Sequence, residues 1–306
     1  MAGLIVDRKS SEALVVSCFG EVLWDYFDSG KRLGGAPLNV CLRLQSLGVD
    51  AHILSAVGSD ALGNELLSDI KERGLDSDLV VVNPNKKTST VEVILDKGGS
   101  ATYEIATDTA WDNIELTPKI AERVESSDIF VFGSLVARSE VSLNTLRQLV
   151  KCSVYKVFDV NLRKPHYALD TLVELMNVAD FIKLNDDELF EIAGAMGSKF
   201  NSLEQNIEFI GNKTNTSNIC VTKGRHGALL KVGDKTYYNS GFLINVADTV
   251  GAGDSFLASL IYQLSVSKDA QYAVDFACAV GALVAQNHGA TPKISIHEIQ
   301  KFMNPA

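Results

Sequence analysis

The sequence predicts an α/β fold in three layers, with helices on both faces of a mainly parallel sheet and a small β-lid attached. Three observations predict it. Short β-branched apolar runs alternate with longer amphipathic stretches along the 306 residues, the pattern of strand–helix–strand units. Many of these runs are apolar at nearly every position, as strands covered on both faces are. Two segments, 21–34 and 88–107, interrupt the alternation without supplying a helix.

In chain order, a first strand over 14–19 leads into the irregular segment 21–34. Gly34-Gly35-Ala36-Pro37 then opens a helix over 36–47, with Pro37 in the first turn and Val40, Leu44 and Leu47 on one apolar face. A strand at 52–57 and a helix at 61–73 follow. Residues 88–107 read as strand, turn, strand, with 96–100 as the hairpin turn. Further strands are expected at 129–132, 154–160, 181–184, 219–222 and 228–232. Further helices are expected at 117–124, 140–151, 168–177, 187–196, 203–211, 252–264, 270–286 and 296–303, with 212–218 as a surface loop. The chain is thus divided into an α/β domain (1–20, 35–87 and 108–306) and a lid (21–34 and 88–107). No internal repeat is seen.

Composition narrows the function. A net charge of −10 without a basic run disfavours nucleic acid and anionic membranes as partners. The near-apolar stretch at 276–285 is too short for the roughly 20 residues of a membrane span. Charged residues Asp7, Arg8, Lys9 and Glu12 are unlike a signal peptide. The cysteines at 18, 41, 152, 220 and 278 are odd in number and form no C-x-x-C pair. Structural zinc and disulfides are not expected, and a cytoplasmic location is.

Ligands of open parallel sheets bind beyond the carboxyl ends of the strands. Here those ends run into Gly133 and Ser134, into Asp159, Asn161 and Arg163, into Asn185 with Glu188 a turn later, and into Lys223-Gly-Arg-His-Gly227. Loops and helix caps are polar in any fold, so each cluster alone is weak. Two glycine motifs say more. Gly34-Gly35-Ala36-Pro37-Leu38-Asn39 lets the backbone approach a ligand and places Asn39 in a first turn. Asp248-Thr-Val-Gly251-Ala252-Gly253-Asp254 opens an apolar helix and aims successive amides at one point, an anion hole with an acid beside it. Asp254 reads either as a base for an attacking hydroxyl or as an acid complementing the helix dipole. The dipole is expected to depress its pKa. No P-loop, dinucleotide fingerprint or H-E-x-x-H motif is present.

Together the two glycine motifs resemble the signatures of the ribokinase/PfkB family of sugar kinases, and the likeness spans nearly the whole chain in order. Lys183-Leu-Asn185-Asp-Asp-Glu188 and Val221-Thr-Lys-Gly-Arg-His-Gly227 are similar to its metal-and-phosphate segment and nucleotide loop. The resemblance implies a ribokinase-like three-layer αβα fold with a β-lid, and ATP-dependent phosphorylation of a sugar hydroxyl. It makes Asp254 the base and Gly251, Ala252 and Gly253 the anion hole. Asp25, Gly34, Gly35, Asn39, Tyr103 and Arg163 would meet the sugar. Asn185, Thr222, Lys223, Gly224, Asn287 and Ala290 would meet the nucleotide, Glu188 would hold Mg²⁺ through water, and Asp248 would hold a monovalent cation such as K⁺. Asp159-Val-Asn161-Leu-Arg163 and Phe132-Gly-Ser-Leu-Val-Ala-Arg138 are fructokinase-like, so D-fructose is the leading substrate. A 2-keto-3-deoxygluconate kinase, a ribokinase, a nucleoside kinase and a kinase-like binding protein that has lost catalysis are the alternatives. The exposed lid suggests a homodimer.

Overall fold

The computed structural model describes residues 5, 13–27, 30–95, 101–267 and 269–304, with 93–95 and 101–103 described as backbone. The chain runs β1 (Val15–Phe19), β2 (Leu23–Phe27), β3 (Gly30–Gly34), α1 (Ala36–Ser46), β4 (Asp50–Gly58), α2 (Ala61–Glu72), β5 (Val80–Asn83), β6 (Ser89–Leu95) and β7 (Ala101–Ile105). It continues through α3 (Pro118–Glu125), β8 (Ile129–Gly133), α4 (Glu140–Cys152), β9 (Tyr155–Asp159), α5 (Leu169–Val178), β10 (Phe181–Asn185), α6 (Asp186–Ala195) and α7 (Leu203–Thr214). The last elements are β11 (Asn218–Thr222), β12 (Ala228–Val232), β13 (Lys235–Asn239), α8 (Ala252–Val266), α9 (Ala270–Ala285) and α10 (Ile296–Met303).

Nine strands form one sheet in the order β13-β12-β11-β10-β9-β8-β1-β4-β5. It is parallel from β5 to β11, and β12 and β13 add an antiparallel edge. Successive side chains of a strand point to opposite faces, so both faces must be covered. On β8, Ile129 and Val131 join a core with α1, α2, α8 and α9, whereas Phe130 and Phe132 join a second core with α3 to α7. Phe19, Phe130, Phe132 and Phe158 stack across the second face, with ring centroids 6.2, 5.6 and 5.3 Å apart. This apolar floor lies under the loops that leave β1, β8 and β9.

A separate four-stranded sheet, β3-β2-β6-β7, forms the lid. Its outer pairs are antiparallel and β2 runs parallel to β6. The expected hairpin turn at 96–100 lies outside the described residues.

All ten expected helices are present. Strands β5 and β13 were not expected from the sequence. The first is four residues long and the second is a polar edge strand with three of its five side chains exposed. The expected surface loop at 212–218 is shorter than expected: α7 continues to Thr214 and β11 starts at Asn218, while Asn212, Lys213, Asn215 and Ser217 are exposed. Thr214 and Thr216 between them are buried, and the Thr216 hydroxyl bonds toward Met176 O and Ala179 O, each at 3.3 Å. A polar run can be internal when its hydroxyls find backbone carbonyls. Among the described residues no helix is long and apolar enough to cross a membrane. All five thiols are free and four are buried.

Truncating Phe158 to Ala should cost about 3–5 kcal/mol, because the ring is fully buried in the floor. Urea unfolding at constant m-value checks it.

Candidate active site

The site begins at α8. Gly251 caps this helix in the left-handed region at φ +73, and a Cβ there would lie 2.5–2.6 Å from Ala290. Only glycine fits, so the turn can bring the first amides of α8 to one point. Asp254 follows in the first turn. Its Oδ2 accepts a hydrogen bond from Asn39 Nδ2 at 2.8 Å. Asn39 is buried on α1, which packs directly on α8.

The expected depression of the Asp254 pKa is corrected. Part of the residue is solvent-accessible, but its carboxyl is packed round by protein, and burial pushes its pKa up to about 6. The charge of Asp159 pushes the same way. Asn39, Lys183 and Arg163 pull against them and lose. Desolvation of the carboxylate outweighs the favourable partial charge of the helix end.

The lid supplies the second acid. Asp25 on β2 lies against Gly34, where a Cβ would overlap its Oδ2. Burial raises the Asp25 pKa to about 6; Arg163 opposes the rise and Asp254 adds to it. At Gly35, φ +116, a Cβ would overlap the carbonyl of Glu21. Glu21 is 5% exposed, and its Oε1 accepts from Ala36 N at 3.1 Å, tying the β1 exit to the start of α1. Burial lifts its pKa to about 7.

Arg163 is exposed and donates from Nη1 to Asn161 Oδ1 at 2.8 Å and to Leu162 O at 3.0 Å. Its charge is felt by Asp25, Glu21 and Asp254, which places it on the same rim. Arg138, from the second fructokinase-like motif, is turned inward instead. It grips Asp112 with two bonds of 2.7 and 2.9 Å and lies 4.2 Å from the Trp111 ring centre. That clamp ties the loop after β8 to the turn that follows the lid.

On the opposite side, Asn185 caps α6 in a reciprocal pair with Glu188. Each side chain accepts from the other's amide at 2.8 Å. Glu188 Oε1 also accepts from Leu162 N at 2.8 Å. Burial raises the Glu188 pKa. Among the described residues no three His, Cys, Asp or Glu side chains group tightly enough to hold a metal directly. Both carboxylate oxygens of Glu188 are engaged by backbone amides, Oε1 by Leu162 N and Oε2 by Asn185 N.

Thr222 ends β11, with its hydroxyl 3.4 Å from Leu184 O. Lys223 lies over the Tyr238 ring at 4.5 Å, and Gly224 starts the next turn. Asn287 donates to Leu283 O at 2.8 Å, and Ala290 packs on Gly251. Asp248, the expected K⁺ ligand, already has partners: Oδ1 accepts from Val250 N at 3.0 Å, and Oδ2 from Gly289 N at 3.1 Å and lid residue Arg32 at 3.3 Å. Tyr103 lies on β7, and its side chain is outside the described residues.

The fold thus gathers Asp254, Asn39, Asp25, Gly34 and Arg163, and carries the nucleotide-loop candidates on β10, β11 and the segment after α9. Sequence reasoning missed Glu21, Arg32 and Lys183 as site residues. Lys183 had a signal, being the lone charge in Phe181-Ile-Lys-Leu184. A cavity of about 560 Å³ is lined by Thr107, Arg138 and His166, among others, and not by Asp254.

The chain thus combines a parallel-sheet domain, a glycine turn with an adjoining acid and a separate small β-sheet. Residues 9–296 match the family model described as pfkB family carbohydrate kinase, and the chain belongs to that family. It is accordingly an ATP-dependent sugar kinase. An uncharacterized sugar kinase of Pyrococcus horikoshii is 29% identical over 89% of this chain and 86% of its own. Its crystal structure in complex with ATP superposes with a TM-score of 0.79, at 26% identity, covering 94% of this chain and 100% of that one. Fructokinase-2 of Zea mays is 27% identical over 92% of this chain and 91% of its own. A fructokinase from Vibrio cholerae, solved with fructose, ADP and calcium, shares the fold with a TM-score of 0.83, at 24% identity, covering 97% of this chain and 100% of that one.

Glu21→Gln should stabilise the ligand-free protein at pH 8 by roughly 2 kcal/mol and change little at pH 4.5. The sign follows from a folded pKa of about 7, raised above the unfolded value. Folding takes up a proton, so the wild type loses stability as pH rises toward that value, and glutamine does not. Melting curves at the two pH values check it.

Proposed function

We propose that the protein transfers the γ-phosphoryl group of ATP to D-fructose, giving fructose 6-phosphate. The observation that carries the transfer is the convergence of an acid of raised pKa, Asp254, with its Asn39 anchor on the glycine turn of α8. The sugar choice is supported by Asp159-Val-Asn161-Leu-Arg163, with Arg163 on the rim shared by Asp25 and Asp254, and by plant fructokinase relatives such as that of maize.

In this reading Asp25 binds sugar hydroxyls, Gly34 and Gly35 give close backbone access, and Arg163 reaches over the sugar from the sheet side. Asn39 holds the Asp254 carboxylate toward the attacking hydroxyl, whose proton Asp254 accepts as the phosphoryl group arrives. Raising the pKa toward neutrality makes the acid a better proton acceptor while leaving it largely ionised at pH 7.5. The amides of Gly251, Ala252 and Gly253 meet the charge that develops on the transferring group. Thr222, Lys223, Gly224, Asn287 and Ala290 border the nucleotide, and Asn185 orients its phosphates. Mg²⁺, placed near Glu188 through water, would neutralise phosphate charge. Potassium at Asp248 would have to compete with Arg32. The unpaired outer edges of β3 and β7 support a homodimer through the lid, which a monomeric mass in sedimentation would refute. Free and mostly buried thiols suit a cytoplasmic location.

An ADP-release assay over fructose, ribose, tagatose, 2-keto-3-deoxygluconate and adenosine tests the substrate; highest kcat/KM for fructose is expected. A higher value for 2-keto-3-deoxygluconate would reassign Arg163 to a carboxylate. Asp254→Asn should lower kcat by about 10²–10⁴-fold with sugar binding retained; near-normal kcat removes the base. For the wild type, kcat/KM should fall as pH drops through about 6, because protonated Asp254 cannot accept the hydroxyl proton. An acid limb near pH 4 would contradict the raised pKa.

A further inference from the structure

Asp159 and Lys183 have no part in the scheme above, yet both are almost wholly buried at the site. Asp159 ends β9 and is 4% exposed; Lys183 lies on β10 and is 5% exposed. The strands are adjacent and the two residues are register partners. Lys183 Nζ bonds Asp159 Oδ1 at 3.0 Å, and Asp159 Oδ2 is buried without a partner. A buried pair of this kind adds little to stability compared with apolar residues of similar size, so its position is more informative than its bond. Lys183 Nζ stands 3.6 Å from where a Gly253 Cβ would be. The ammonium group thus lies against the α8 turn that holds Asp254.

We propose that the Asp159–Lys183 pair is a positioning unit for phosphoryl transfer, setting the ammonium of Lys183 beside the Gly253 turn and the carboxyl of Asp159 next to it to balance the charge around Asp254. This rests on the assignment of Asp254 as base. The pair acts through Asp254 and the turn and needs no contact with sugar or nucleotide. The cation adds to the positive end of α8 at the point where phosphoryl charge gathers.

The groups facing Asp254 are Asn39 from α1, Asp159 from β9, Lys183 from β10 and Arg163 from the loop after β9, with Asp25 and Glu21 on the lid side. Lys183 is faced in turn by Asp159, Glu188 and Asp254, and by Cys220 from β11. Burial works against its charge, and the three carboxylates outweigh burial and raise its pKa. It therefore stays charged at every pH of interest. Of the groups around Asp254, Asp159 disfavours its ionised form and Lys183 favours it.

That opposition gives a test that a merely structural pair would fail. Asp159→Asn should move the acid limb of kcat/KM to lower pH, and Lys183→Met should move it to higher pH. Lys183→Met should also lower kcat by about 100-fold, with KM for sugar and ATP changed less than about threefold, and Lys183→Arg should restore part of the rate. Limbs that stay in place, or that move in the same direction, overturn the proposal. So does a loss that appears in KM alone. Circular dichroism and melting curves establish that each variant is folded. If a single variant is not, the double variant Asp159→Asn/Lys183→Met, neutral at both positions, is measured instead, and a wild-type kcat in it overturns the proposal. Failure of the base assignment is distinguishable, because Asp254→Asn would then keep its turnover whatever the pair does.

Discussion

A carboxylate held at the N-terminus of a helix and yet shut away from water is the constraint on which this site turns. The helix end offers it a partial positive charge, which favours the ionised form by roughly 0.3–1 kcal/mol at exposed positions. Desolvation works the other way and reaches several pKa units for fully buried acids. Here desolvation wins, and Asp254 rises to about 6. Asp25 and Glu21 rise for the same reason. Three acids on one rim each carry a desolvation cost that their partners do not offset. Such an arrangement costs stability and is expected where binding or catalysis uses the strain.

The surrounding architecture can be understood as what that constraint requires. The two glycine turns remove side chains where Asp25 and Ala290 approach the backbone most closely. Asn39 fixes one carboxylate oxygen of Asp254 from a helix that is itself anchored on α8. The apolar floor of Phe19, Phe130, Phe132 and Phe158 packs the strand ends from which the loops leave.

Much of this was legible in the sequence. Strands buried on both faces and ten amphipathic helices betray themselves by periodicity, and the glycine motifs mark turns that other residues cannot make. What escaped was set by tertiary contact. The short β5 has too few residues to show a pattern, and β13 is an edge strand whose polar faces read as loop. Thr214 and Thr216 look like surface residues until carbonyls from α5 and the turn after it are brought to them. The pKa of Asp254 could not be read because the helix dipole is visible in the sequence, whereas the packing that desolvates the acid is not. Arg32 likewise reads as an ordinary charge on an exposed strand.

Arg32 nevertheless joins the lid to the glycine turn and the segment after α9. It projects from β3 to Asp248, and Asp248 holds the amides of Val250 and Gly289. One carboxylate thereby bridges the lid, the glycine turn and the segment after α9. The Arg32 side chain is 39% exposed and its bond is 3.3 Å long, so the contact is worth no more than about 1 kcal/mol. A link that weak cannot hold the lid by itself, and a cation placed at Asp248 could replace it. If Asp25 binds the sugar as proposed, closure draws its free energy mainly from that contact, and Arg32 only adjusts it.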